Sequence, residues 1–374
     1  MTFVLMGLTG LTLLSLLWMF GWSDGSAPAV DARLFPFSVN RERLDRSQCP
    51  LRLIHINDFH ARFLPHDGAG DDCDMATGAQ CVGGVAYMKS AVDHLRSGEN
   101  VGGADGTLLV NAGDEFQGSL FHTLFRGNVA ARVINAFQYD AISLGNHEFD
   151  LGYRQLAQYL RTVKAPAVCA NIEYTHEVPE LQATLQLFTV IERHKVGIIG
   201  VLTPDTMASA NMGGHIQLTD PVAAVNNARA LLAKMGISRI ILLSHLGYNE
   251  DRDLAERVDP GIGLIVGGHT HSYLGNQSTV ESAPLGPYPT WVTNAARPKW
   301  QTAIVQAKHL GEYIAYIDMV FNNDGSLDSK LTRGEPIRID VVGEGSRIKG
   351  MAPSKQIQDV LQPFVTIANS YHHH

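Results

Sequence analysis

Five times in this chain a short, strand-like apolar run stops at polar side chains able to bind a metal. Residues 51–56 end in Asn57-Asp58, 107–110 lead to Gly113-Asp114, and 141–144 lead to Gly145-Asn146-His147. Further on, 240–243 end in Ser244-His245 and 264–266 in Gly267-Gly268-His269. Between these runs lie segments with apolar residues at helical spacing: 85–95 with Gly98 as a stop, 129–137, 153–163, and a stretch from Asp220-Pro221 to Met235 closed by Gly236. Buried strands alternating with helices build sheets covered by helices, and ligands in such architectures collect beyond the carboxyl ends of the strands. The pattern therefore predicts that the clusters converge on one place.

More strands are predicted at 196–201, 291–293, 303–305 and 313–321, with 185–191 and 196–201 forming a hairpin through Glu192-Arg193-His194-Lys195. Residues 356–368 read as a helix beyond the main domain, and no linker or repeat divides residues 50–320. Of the 374 residues 45% are hydrophobic and 18% charged, enough apolar material for a large core. A net charge of -8 lacks the basic footprint of a nucleic-acid binder, so no nucleic-acid partner is expected. It leaves room for a nucleotide held through a metal ion.

The N-terminal residues 4–22 are apolar and uncharged, and Ala27 and Ala29 form a small-residue cleavage site, so 1–29 read as a secretory signal. The run is also long enough for a membrane anchor. The end at Tyr371-His372-His373-His374 has no apolar tail, hence no lipid-anchor signal. Cys73 and Cys81 flank a short loop and suit a local bridge in an oxidising compartment, while Cys49 and Cys169 either pair across the fold or stay free. Asn276-Gln277-Ser278 is a glycosylation sequon, in keeping with secretion.

The clusters Asp58-x-His60, Gly113-Asp114, Gly145-Asn146-His147-Glu148, Ser244-His245 and Gly268-His269-Thr270-His271 offer carboxylate, amide and imidazole donors without a thiolate. Such a set suits zinc, manganese or iron. It is too large for one four-coordinate ion with a vacant position, and fits two ions sharing a bridging carboxylate.

Three strings carry a family resemblance: Ile54-His55-Ile56-Asn57-Asp58-Phe59-His60-Ala61-Arg62-Phe63, Gly113-Asp114-Glu115-Phe116-Gln117-Gly118-Ser119 and Leu144-Gly145-Asn146-His147-Glu148-Phe149-Asp150. Over about residues 50–340 the chain resembles the 5'-nucleotidase branch of the calcineurin-like metallophosphatases, which includes ecto-5'-nucleotidases, salivary apyrases and bacterial UDP-sugar hydrolases. The resemblance implies an α/β fold, a four-layer α/β/β/α metallophosphatase sandwich with two central mixed sheets, over residues 48–340. It assigns Asp58, His60 and His271 to a first metal, Asn146, His245 and His269 to a second, and Asp114 as the bridge. Zinc is the foremost candidate, with manganese, cobalt or iron as alternatives. His271 stands where animal relatives carry Asn and bacterial ones Gln.

The resemblance also implies a catalytic pair, His147 and Asp150. Asp150 is spaced to accept a hydrogen bond from the ring, so that a protonated His147 stabilises charge on the phosphoryl group or leaving group. The nucleophile would be hydroxide made available by the ions. The implied function is a secreted, two-metal phosphohydrolase of nucleoside phosphates, AMP and in addition ADP or ATP. A broad phosphoesterase and a non-catalytic secreted nucleotide-binding protein are the alternatives. The relatives carry a second, base-binding domain, which would begin about where this chain stops; residues 341–374 are then a connector helix and tail. The remaining histidines, His55, His66, His94, His122, His176, His194, His215 and His309, are expected to be structural or solvated, and Arg62 to sit in a surface salt bridge.

Overall fold

The structure, a computed structural model, describes residues 48–67, 70–73, 80–97, 106–278, 283–341 and 351–371, with Val39, Leu44, Asp45 and Ile348. The expected signal or anchor at 1–29, the Gly98 stop and the terminal histidines lie outside the described residues.

Two mixed sheets lie face to face. The first runs, in spatial order, Arg333–Arg338, Tyr313–Phe321, Cys49–Ile56, Thr107–Asn111, Ala141–Ser143, Ala167–Val168 and Leu185–Gln186. The second runs Thr290–Thr293, Gln301–Val305, Leu264–Gly267, Arg239–His245, Val196–Leu202 and Phe188–Ile191. The strands that carry the clusters are parallel to their cluster-bearing neighbours, with Ile54 opposite Leu109 and Leu242 opposite Ile265. Parallel strands in register deliver their carboxyl ends to one side, and that places the clusters together.

Strand periodicity explains the layers. Leu51, Leu53, Leu108 and Val110 point between the sheets and share a buried cluster with Ile199, Val201, Ile241 and Leu243. Their alternates Ile54, Ile56 and Leu109 face the helices Val85–Ser97, Gly127–Phe137 and Tyr153–Thr162. The outer face of the second sheet is covered by Pro221–Lys234 and Tyr248–Arg257 through Val225, Leu232 and Leu254. Asp220 caps the first of these helices, accepting from Ala223 N at 2.8 Å. The result is the four-layer sandwich that the resemblance implies.

Two local expectations change, and one left open is settled. The run 185–191 is split: Leu185–Gln186 joins the first sheet, and Phe188–Ile191 forms the hairpin with Val196–Leu202 in the second. The crossing falls at Leu187, 46% exposed, an apolar residue that hides the break from a periodicity reading. The C-terminal helix, Lys355–Tyr371, does not stand beyond the domain. It packs on the helices Val85–Ser97, Leu120–Phe125 and Gly127–Phe137, burying Ile357, Leu361 and Ala368, with Phe364 edge-on to Phe125 at 5.0 Å. Cys73 and Cys81 are bridged, whereas Cys169 is a buried thiol and not half of a bridge to Cys49.

Candidate metal centre

Both sheets feed the site. From the first come Asp58 and His60 after Cys49–Ile56, Asp114 after Thr107–Asn111, and Asn146 and His147 in the single turn Asn146–Phe149. From the second come His245, the last residue of Arg239–His245, and His269 and His271 after Leu264–Gly267. Two groups of donor atoms each gather within 4.8 Å: Asp58, His60 and His271, and Asp58, Asp114 and His245. His271 Nε2 lies 3.1 Å from His60 Nε2 and 3.4 Å from Asp58 Oδ1. Asp114 Oδ2 lies 3.1 Å from His245 Nε2 and 3.8 Å from His60 Nε2, so it reaches one imidazole of each set. Asn146 and His269 stand beside the second group, His269 Nδ1 being 3.0 Å from Asn146 Oδ1 and its ring 5.2 Å from that of His245.

The donors fit divalent cations in chemistry and in charge. A carbonyl only accepts, so His245 Nδ1 donates to Ala112 O at 2.8 Å and His60 Nδ1 to Phe116 O at 3.2 Å. Both Nε2 atoms then turn lone pairs inward, as metal-ligating histidines do. His245 Nε2 is buried and has no hydrogen-bond partner, although the Asp114 carboxylate is beside it. A lone pair facing a carboxylate calls for a cation or a proton between them. Burial alone would lower the pKa of His245, yet Asp114 and Asp58 push it up to about 10. Among the described residues every ion-pair partner of these two buried carboxylates is an imidazole. The centre is thus short of fixed positive charge, which a pair of divalent ions would supply.

The backbone is bent to present these groups. Asp58, His60, Asp114, His269 and His271 all have φ between 50° and 74°, a left-handed conformation unfavourable for residues with a Cβ. Hydrogen bonds hold them there. The Asp58 carboxylate accepts from His269 N at 3.0 Å, joining the two sheets, and Asp58 N donates to Gly113 O. Glu148, to which the sequence reading gave no role, accepts four amides: Asp114 N and Gly145 N at one oxygen, Glu115 N and Phe116 N at the other. Its signal was a Glu three residues after Gly145, the spacing at which an N3 carboxylate reaches back to the N-cap amide, as Glu148 does to Gly145 N. Gly145 is small by necessity, since a Cβ there would lie 2.0 Å from Asp114 Oδ1.

His147 and Asp150 stand at the rim. His147 Nδ1 is 2.8 Å from Asp150 Oδ2, and His147 N donates to Asp114 Oδ1 at 3.0 Å. Burial would lower the pKa of His147, but the Asp114 and Asp150 carboxylates outweigh it and raise it. The ring is therefore disposed to carry a proton beside the metal groups.

Of the histidines expected to be structural, His55 is one: it bonds Tyr288 OH at 2.8 Å, and burial pushes its pKa down to about 3. His309 is not remote, as it stacks on His271 at 4.5 Å. Its place after the strand Gln301–Val305 was the available signal. Arg62 makes no salt bridge among the described residues, and its Nε is buried without a partner.

Residues 51–273 match the family model described as calcineurin-like phosphoesterase. An apyrase of Tabanus yao is 34% identical over 297 residues, 78% of this chain and 51% of its own length. A snake venom 5'-nucleotidase of Crotalus adamanteus is 32% identical, over 82% of this chain and 51% of its own length. The chain thus spans about half the length of the curated relatives it matches. The crystal structure of a 5'-nucleotidase precursor from Thermus thermophilus superposes with a TM-score of 0.75 and 31% identity, covering 86% of this chain and 59% of that one.

Proposed function

This chain belongs to the calcineurin-like phosphoesterase family, and on that premise we propose that it is a metal-dependent phosphohydrolase of nucleoside phosphates. The observation that carries the reading is the pair of donor groups sharing Asp58, with the His147–Asp150 pair at their edge. In this reading Asp58, His60 and His271 would hold one divalent ion, Asn146, His245 and His269 would hold a second, and Asp114 would serve both. When bound, the ions would neutralise the buried carboxylates, polarise the phosphoryl oxygens and make hydroxide available near neutral pH.

The chain's own residues do the rest. Asp150 fixes the His147 ring through Nδ1, leaving Nε2 free to hold a proton against the phosphoryl oxygens or the leaving alcohol. Asp58, bonded to His269 N, keeps the contributions of the two sheets in one geometry. Glu148 locks the Asp114 loop to the Asn146–His147 turn. The nucleoside phosphate substrate is supported by relatives named apyrase and 5'-nucleotidase at similar identity. An extracellular site of action is part of the proposal. It is supported by the Cys73–Cys81 bridge and the venom relative, with residues 1–29 as the signal. Among the described residues no helix is long and apolar enough to cross a membrane.

The test is phosphate release from AMP, ADP, ATP and an aryl phosphate, with and without chelator, for the wild type and Asp114→Ala. The expected outcome is turnover of a nucleotide that chelation and Asp114→Ala both abolish, with recovery in the chelated wild type on adding zinc or manganese. Turnover indifferent to both would overturn the reading. A preference for the aryl phosphate would remove the nucleotide from it.

A further inference from the structure

His271 is more exposed than His60 or His245: its side chain is 39% accessible, against 7% and 0%. Among the described residues its contacts run through Nε2, and its Nδ1 makes no hydrogen bond. A histidine that ligates a metal almost always gives its second nitrogen to a carboxylate, carbonyl or water, which fixes the ring. His60 and His245 do so through Phe116 O and Ala112 O. In place of a protein acceptor His271 has another ring beside it. His309 lies 4.5 Å away and only 24° from parallel, while His60 meets His271 edge-on at 5.0 Å.

The turn that carries His309 is fastened to the loop that carries Asp58. Ala307 N donates to Asn57 Oδ1 at 2.8 Å, Asn57 Nδ2 to Lys308 O at 2.6 Å, and Leu310 N to Asp58 O at 2.7 Å. Within the turn, buried Glu312 lies 3.4 Å from His309 Nε2 and bonds Lys308 Nζ at 2.6 Å. The His309 ring is thus held in register with Asp58, which is common to both donor groups.

Resting on the two-cation reading above, we infer that His309 is a positioning residue: its ring, fixed to the Asp58 loop, takes the place of a protein hydrogen-bond acceptor and holds His271 in line with Asp58 and His60. A freely rotating His271 would have to be ordered at each binding event, and the stacked ring removes that cost.

The test is calorimetric titration of the metal-stripped protein with Mn2+, each variant being checked for its fold by circular dichroism. The wild type is expected to bind two ions. His309→Ala should weaken one of them by about tenfold and leave the other unchanged. His309→Phe, which keeps a flat ring, should stay within about twofold of the wild type, and His309→Asn, polar but ringless, should match Ala and replace it if Ala does not fold. Unchanged affinities in the ringless variants, or a Phe variant as weak as they are, would overturn the inference and leave the two-cation reading intact. A wild type that binds no Mn2+ would overturn that reading and this inference with it.

Discussion

Replacing Gly145 by alanine places a single methyl group against the centre. The Cβ would lie 2.0 Å from Asp114 Oδ1 and 2.6 Å from Asp114 Cγ. Close carbon–oxygen contacts run at about 3.3–3.6 Å, so a gap of about 1.3 Å or more must open. Backbone preference is not the issue, since Gly145 has φ -102° and ψ -179°, an extended conformation open to alanine. Neither partner can retreat freely: Gly145 N is bonded to Glu148 Oε2 at 2.6 Å and Asp114 N to the same oxygen at 2.9 Å. Either the Asp114 side chain swings out of reach of His245 and His60, or the turn moves and takes Asn146 and His147 with it. Overpacking of this kind costs about 1–3 kcal/mol, which leaves a protein of this size folded. A displacement of about 1 Å at a reacting centre costs about a hundredfold in rate. Phosphate release from the preferred nucleotide should therefore fall by about a hundredfold or more in Gly145→Ala, while thermal denaturation stays cooperative. A folded variant with a kcat/KM within about threefold of the wild type would show that Asp114 does not need its present position.

Glu148→Gln puts an amide nitrogen against two of the four donors; losing two charge-assisted bonds at about 1.5–3 kcal/mol each should lower stability by about 3–6 kcal/mol in urea, and a loss below about 1 kcal/mol would contradict the latch. Asp251 is fully buried with Oδ2 unpartnered, and burial pushes its pKa up to about 7. A folded-state pKa above the unfolded value of about 4 means stability falls as pH rises between them, by about 4 kcal/mol at pH 8. Asp251→Asn should thus have a higher urea midpoint than the wild type at pH 8 and a matching one near pH 4, and equal gaps at both would refute the assignment. His147→Ala should lower kcat by about a hundredfold or more and Asp150→Asn by less, measured at saturating substrate; equal KM values with wild-type kcat would remove the pair from catalysis. Mn2+ at about a hundred times its Kd should stabilise the protein by about 2.7 kcal/mol for each ion bound, and Asp114→Ala should abolish that thermal shift, because Asp114 reaches one imidazole of each proposed ligand set.

Much of this centre is legible in the chain because parallel strands leave a double record: an apolar run, then an abrupt polar stop. The runs before Asp58, Asp114, Asn146, His245 and His269 are each strands in the structure; the stops at Asp58, Asp114 and His245 meet, and Asn146 and His269 stand beside them. What escapes the sequence has separate physical causes. Tyr248–Arg257 is missed as a helix because little beyond Tyr248, Leu254 and Ala255 is apolar and buried. The break at Leu187 is missed because sheet identity is a tertiary property and both halves are β-like. The role of Glu148 is missed because its partners are backbone amides, which no side-chain pattern announces. His309 is missed because it stacks on a residue 38 positions earlier and matches no local motif.

The left-handed backbone at five of the proposed ligands explains why the two sheets matter as much as the motifs. Each donor group draws on both sheets: His271 from the second joins Asp58 and His60 from the first, and His245 from the second joins Asp58 and Asp114. Residues such as Asp58 and His269 would not adopt positive φ in an isolated strand end, where the strain of order 1–3 kcal/mol each has nothing to oppose it. Some of the opposing bonds lie within the loops of the first sheet, such as Asp58 N to Gly113 O, but the 3.0 Å bond from His269 N to Asp58 exists only when the sheets are packed. Packing of the hydrophobic seam around Leu53, Val110, Val201 and Leu243 therefore completes the candidate metal centre. The seam provides the free energy that holds the ligands in strained conformations, and the ligands in turn leave a concentration of negative charge and inward lone pairs that cations relieve. A substitution deep in that seam should on this logic weaken metal binding without touching a ligand, and the motif residues transplanted to a single sheet should not bind.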